Sequence, residues 1–200
     1  MSFFMTISRA IDRLNQAVGQ FTIWLILATT LISAGNAIVR KAFDSSSNAL
    51  LEIQWYLFAA VFLLGAGYGL LKNSHVRIDF ISAMLTPRTR NWIDVGGILL
   101  ALFPFCAICI YLSWPLFMQA YNTGEMSSNA GGLIRWPVYA LVPAGFALLM
   151  LQGVSELIKR LAFLWGHGED VLSSDETMSD EQKELIALEK LAQEQVQGAR

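Results

Sequence analysis

The chain has 200 residues, 54% of them hydrophobic and 15% charged, with a net charge of −2. Four stretches, residues 14–39, 53–71, 95–124 and 136–155, contain no Asp, Glu, Lys, Arg or His; together they hold 95 residues, so every formal charge is crowded into the other 105. Each stretch is about as long as an apolar helix that crosses a bilayer core, which excludes a water-soluble domain and predicts an all-α integral membrane protein with four transmembrane helices.

In chain order, residues 3–18 place Phe4, Ile7, Ile11, Leu14 and Val18 on one helical stripe, with Arg9, Asp12, Arg13 and Gln16 opposite. That pattern predicts an amphipathic helix lying in the membrane interface. The first span, about 18–39, belongs to a charge-free run far longer than a cleavable signal core, so it is expected to be retained. Thr29, Thr30, Ser33 and Asn36 give it a mildly polar side suited to helix packing. The second span, about 50–71, opens with Glu52, where a carboxylate meets the positive end of a helix. Arg40, Lys41 and Arg135 fall on the same side of the membrane as candidate partners for it. The span ends in Gly65-Ala66-Gly67-Tyr68-Gly69, in which Gly65 and Gly69 form a GxxxG pair that allows another helix to approach closely.

The loop that follows carries Val76, Phe80, Ile81, Met84 and Leu85 on one helical face and predicts a second interfacial helix. Thr86-Pro87 reads as a cap and first-turn proline. The third span, about 93–114, contains Pro104 and, near its far end, Pro115, each of which removes a backbone donor. Cys106 and Cys109 lie inside the apolar run and read as small packing residues. The fourth span, about 136–158, starts at Trp136-Pro137, with Pro143 as a possible kink. Trp92, Trp114 and Trp136 sit near span ends, as an aromatic belt requires. Residues 169–200 hold nine acids against three bases, so a membrane domain over 1–168 carries an acidic tail. In that tail Ser179 and Gln182 resemble a capping box that opens a marginal helix.

Counting Lys and Arg loop by loop gives eight on the side of the termini and the 72–90 loop against three on the other. The positive-inside rule then puts both termini in the cytoplasm. Bases are dispersed along the loops, which gives nucleic-acid binding no support. No nucleophile elbow, phosphate loop, metal-spaced cluster or intramembrane haem ligand occurs, so no catalytic residue, cofactor or metal site is expected. The carboxylates nearest the spans, Glu52, Asp94 and Glu156, all lie at span ends.

Three segments together, Glu52-Ile53-Gln54-Trp55-Tyr56, Leu63-Leu64-Gly65-Ala66-Gly67-Tyr68 and His75-Val76-Arg77-Ile78-Asp79, resemble the small membrane subunit, Q, of the tripartite ATP-independent periplasmic (TRAP) transporters. Arg88-Thr89-Arg90, Trp92 and Asp94 fit the same pattern, as does Gly131-Gly132-Leu133-Ile134-Arg135-Trp136-Pro137. The resemblance covers roughly residues 8–160. It implies a bacterial inner-membrane complex in which a periplasmic binding protein captures an organic acid, a large M subunit moves it with sodium, and Q braces M. Under it Glu52, Gly65, Gly69, His75, Arg77, Asp79 and Phe80 become candidate partner-interface or anchoring residues. A stand-alone four-helix transporter or channel, or the anchor of another complex, is the alternative. A stand-alone transporter would need a polar stripe through a span, and span one offers only Thr29, Ser33 and Asn36.

Overall fold

The computed structural model describes residues 2–43, 47–73 and 86–166. The second interfacial helix expected over 76–85 and the acidic tail lie outside the described residues. The chain forms α1 (Ser2–Phe43), α2 (Asn48–Leu71), α3 (Pro87–Gly97), a π-helical turn (Ile98–Leu102), α4 (Phe103–Thr123) and α5 (Trp136–Leu164). Four rods, Phe3–Phe43, Asn48–Leu71, Pro87–Thr123 and Trp136–Leu164, are long and apolar enough to cross a membrane. No strand forms among the described residues, only one isolated antiparallel bridge between Met126 and Ile134.

The local devices follow from the residues. Thr86 caps α3, its side chain accepting from the Thr89 amide at 3.3 Å with Pro87 in the first turn, as the sequence predicts. The third rod does not break at Pro104. Proline cannot donate to the carbonyl four residues back and its ring crowds that carbonyl. The turn before it widens instead, and Phe103 donates to Ile98 O, five residues back. Pro115 and Pro143 lie within α4 and α5 without ending either helix. Gly124, at φ 61°, stops α4 in the left-handed conformation, with Glu125 N bonded to Ala120 O at 3.1 Å. Trp114, Phe117, Tyr121 and Trp136 form a chain of ring contacts with centroids 5.7–6.1 Å apart that joins the end of α4 to the start of α5.

Every other described helix packs on α5: α2 and α4 along its length, α1 and α3 toward its C-terminal end. Close approach of α2 to α5 depends on Gly145, where a Cβ would sit 2.7 Å from Leu63 O. Helices α1 and α2 lie antiparallel and in step. Ser33 bonds Gln54 and Gly19 abuts Tyr68, so fourteen positions on α1 (33 to 19) match fourteen on α2 (54 to 68).

The N-terminal segment differs from the expectation. No separate interfacial helix precedes span one; α1 is one helix of 42 residues, about 63 Å long at 1.5 Å per residue. Its inward side is polar. Ser8 and Asn15 are buried and Asp12 is half-buried, whereas Phe4 and Leu14 of the expected apolar stripe are exposed. Here seven positions on α1 (15 to 8) match only three on α5 (152 to 155), so this end of α1 crosses α5 obliquely.

That crossing is held by a network of ion pairs and hydrogen bonds. Gln152, Ser155 and Glu156 are fully buried and Arg160 is 2% exposed. Glu156 pairs with Arg160 one turn on and with Lys159 at 3.0 Å; Lys159 also pairs with Asp12 at 2.8 Å, and Arg160 with Asp94 of α3 at 3.2 Å. Ser155 donates its one hydroxyl proton to Asp12 at 2.7 Å, so Ser8 must donate to Ser155, also at 2.7 Å. Gln152 donates to Asp12 at 3.0 Å and accepts from Asn15 at 3.0 Å. The other amide atom of Asn15, Oδ1, is seated on Gly67, where a Cβ would lie 2.2 Å from it.

Removing one partner of a buried pair costs about 3–5 kcal/mol, because the remaining charge has no water, whereas replacing both by apolar residues is often neutral. Arg160→Met should therefore lower the thermal midpoint in detergent strongly, and adding Glu156→Leu should recover more than half of the loss. A double variant as unstable as the single one would mean that packing rather than charge governs this end.

Candidate functional site

The N-terminal end of α2 is tied down by one stripe. Asn48, Glu52 and Tyr56 are spaced by four residues and therefore share a helix face. All three bond the segment between α4 and α5. Asn48 Nδ2 donates to Ala130 O at 3.0 Å, and Tyr56 OH donates to Ile134 O at 3.2 Å. Glu52, 5% exposed, accepts from the Leu133 amide at 2.7 Å, from Asn129 Nδ2 at 2.7 Å and from the Ser127 hydroxyl.

The segment it holds is a small hairpin. Ser127 N donates to Leu133 O and Arg135 N to Glu125 O, both at 2.9 Å. Its turn closes with Gly132 N on Asn129 O at 2.9 Å, and the third turn residue, Gly131, has φ 71°, which favours glycine. Two carboxylates and one guanidinium sit close by, yet the expected pairing of Glu52 with a base does not occur. Arg135 pairs with Glu125 at 2.9 Å, and Arg40 and Lys41 lie exposed in the last turn of α1 with no ion pair among the described residues. Glu52 is instead satisfied by three neutral donors, which hydrogen-bond both carboxylate oxygens and fix the loop without needing a second buried charge.

Of the residues singled out from the sequence, His75, Arg77, Asp79 and Phe80 lie outside the described residues. Gly65 faces open space, with nothing within 4 Å of a Cβ built on it, so it makes no close approach within the chain. Gly69 is half-buried. Along the same outward face of α2, Trp55, Phe58 and Phe62 are each about two-thirds exposed or more. This face is therefore aromatic toward the N-terminal half of α2 and hollow at Gly65. The polar side of span one is turned the other way. Ser33 donates to Gln54 of α2 at 2.8 Å and Asn36 is buried, while Thr29 and Thr30 return their hydroxyls to Leu25 O and Ile26 O.

Among the described residues, buried charge is confined to two layers: Glu52 at the start of α2, and the cluster from Asp12 to Arg160 at the other end. Among the described residues no group of His, Cys, Asp and Glu is placed to hold a metal ion, and Cys106 and Cys109 are free thiols. The arrangement fastens helices and presents one face.

Residues 29–163 match the family described as tripartite ATP-independent periplasmic transporters, DctQ component. The chain is also similar to a protein of Pseudomonas aeruginosa described as a C4-dicarboxylate TRAP transporter small permease protein, DctQ. The two are 25% identical over 134 residues, covering 66% of this chain and 62% of the relative, so the chain spans less than two thirds of the relative's length.

Glu52→Gln keeps the size of the side chain but turns an N–H toward donors that now meet a carboxylate. Trypsin should then cut after Arg135 faster than in the parent protein, while Glu125→Gln, which removes only a half-exposed ion pair, should change cleavage less. Equal cleavage in the parent and Glu52→Gln would show that the hairpin holds without the carboxylate.

Proposed function

This chain belongs to the DctQ component family of the TRAP transporters, and from that premise we propose that it is the small permease subunit that braces a large transport subunit, M, in a bacterial inner membrane. The complex takes up an organic acid, driven by sodium and delivered by a periplasmic binding protein. The small subunit itself moves nothing. The observation that carries this reading is where the buried charge lies. A carrier needs polar groups or broken helices near the bilayer midplane. Here the buried charged groups among the described residues sit in two end layers, each paired with the chain's own donors and acceptors.

The outward face of α2 is the surface we assign to the M subunit. In hydrocarbon, helices associate through close packing and not through the hydrophobic effect, so the open position at Gly65 allows a partner helix to come near while Trp55, Phe58 and Phe62 supply contact area. His75, Arg77, Asp79 and Phe80 would extend the contact or anchor it at the membrane surface. The Thr29, Ser33 and Asn36 side of span one is no part of this surface, because it packs on α2.

Gly65→Leu should leave the chain inserted and folded yet reduce co-purification with the M subunit several-fold, whereas Leu112→Ala on the exposed face of α4 should not. Liposomes holding the purified chain alone should show no sodium-driven uptake of an organic acid; uptake there would overturn the brace reading in favour of a stand-alone transporter.

The proposed orientation puts both termini in the cytoplasm. In a background lacking Cys106 and Cys109, Ser128→Cys should react with an impermeant thiol reagent in spheroplasts and Ser173→Cys should not. The reverse pattern would invert the topology.

A further inference from the structure

We propose that Arg9 and Arg13, one turn apart on the outward face of α1, form a site for the phosphate of an anionic phospholipid in the leaflet at that end of the bundle. The proposal rests on the membrane reading of the four rods and is independent of which complex the chain joins.

Both arginines are exposed, and Gln16 and Gln20 continue the same face, also exposed. Two like charges at this spacing repel and weaken a helix, so the pair needs a counter-charge. The acid between them does not supply it. Asp12 points about a quarter turn away, where Lys159, Ser155 and Gln152 hold it. Among the described residues no carboxylate pairs with either arginine; Arg9 Nε donates to Met5 O at 3.2 Å, which leaves its terminal nitrogens to reach outward. The chain thus assembles an ionic cluster where α1 meets α5 and leaves a double positive charge on the adjacent, exposed side.

Depth and flank identify the occupant. The arginines lie beyond Asn15, which is seated on Gly67 in the last two turns of α2, and beside the Lys159 and Arg160 layer of α5. This end of α1 runs obliquely across α5 instead of continuing straight out of the bundle. Phe3, Leu14 and Phe21, all about half exposed or more, run beside the arginine stripe about a quarter turn round the helix. Cations with an apolar flank at a bundle end match the boundary between headgroups and acyl chains, and two guanidiniums match a phosphate carrying uncompensated negative charge. A zwitterionic headgroup brings its own ammonium and has less use for them.

The test is native mass spectrometry of the full chain in detergent, titrated with phosphatidylglycerol, with phosphatidylcholine and, separately, with inorganic phosphate. The parent should retain phosphatidylglycerol over phosphatidylcholine, and millimolar inorganic phosphate should not displace it. Near an anionic surface each arginine contributes about 1 kcal/mol, so Arg9→Gln should weaken retention about 5-fold and Arg9→Gln with Arg13→Gln about 30-fold. Arg9→Lys with Arg13→Lys keeps the charge and should restore most of it, which also shows that the fold tolerates substitution here. Unchanged retention in the double Gln variant would overturn the proposal, as would equal binding of both lipids. Displacement by inorganic phosphate would overturn it in favour of a free-anion site. Tighter lipid binding after deletion of residues 169–200 would overturn it too, by assigning the arginines to the acidic tail. So would a double Gln variant that keeps its lipid but loses the M subunit.

Discussion

A polar atom in hydrocarbon has no water to turn to, so a partner within the protein counts for more there, and in this chain such partners are gathered at one place above all. Glu156 and Arg160, one turn apart and both buried, form the centre of the cluster at the end of α5. Around this pair the other helices are gathered: Asp94 brings α3, Asp12 with Ser8 and Asn15 brings α1, and Gly67 of α2 closes on Asn15. Low dielectric makes the same cluster demanding, since any member left alone is a buried charge or an orphaned donor. Position is therefore specified by chemistry at a level where apolar packing alone would permit sliding.

The second fastening, Glu52 with its hairpin, works by different means. Three neutral donors converge on one carboxylate, so the loop at the opposite end is fixed without a salt bridge. Between the two fastenings the bundle carries no charged residue, with α1 and α4 flanking α2 and α5 and leaving broad faces uncovered. Ends fastened by hydrogen bonds and ion pairs and an uncovered middle suit the proposed brace, because a helix laid against α2 would meet a surface already ordered at both ends.

Much of this was legible in the sequence, and the reasons are physical. Charge-free runs of about twenty residues have few structural solutions, so the four rods could be read directly. The Thr86-Pro87 start was equally plain. What escaped was the direction in which polar residues point. Asn48, Glu52 and Tyr56, and likewise Gln152, Glu156 and Arg160, repeat every four residues and mark one face each, but the sequence does not say which other segment that face meets. Asp12 was placed on a water-facing side because its neighbours Arg9 and Arg13 are there; its actual partner lies 147 residues on, at Lys159. Glu52 was paired with bases because charge is countable in a sequence, whereas the backbone amide of Leu133 is not. The glycines divide in a way their spacing does not announce: Gly65 stays open at its Cβ position, whereas Gly19, Gly67, Gly145 and Gly153 lie against neighbouring helices of the same chain.

The long reach of the Asp12 network has a bearing on how the protein is made. Gln152 follows Asp12 by 140 residues. At about 5–20 residues per second of synthesis, roughly 7–30 s separate the emergence of the two. During that interval α1 and α2 are already able to pair, in step along fourteen positions, while Ser8, Asp12 and Asn15 still lack α5. The nascent chain thus carries an unfinished polar edge until its final described helix enters the membrane. A product truncated before Gln152 would expose that edge permanently, giving membrane quality control a ready means of telling complete molecules from incomplete ones.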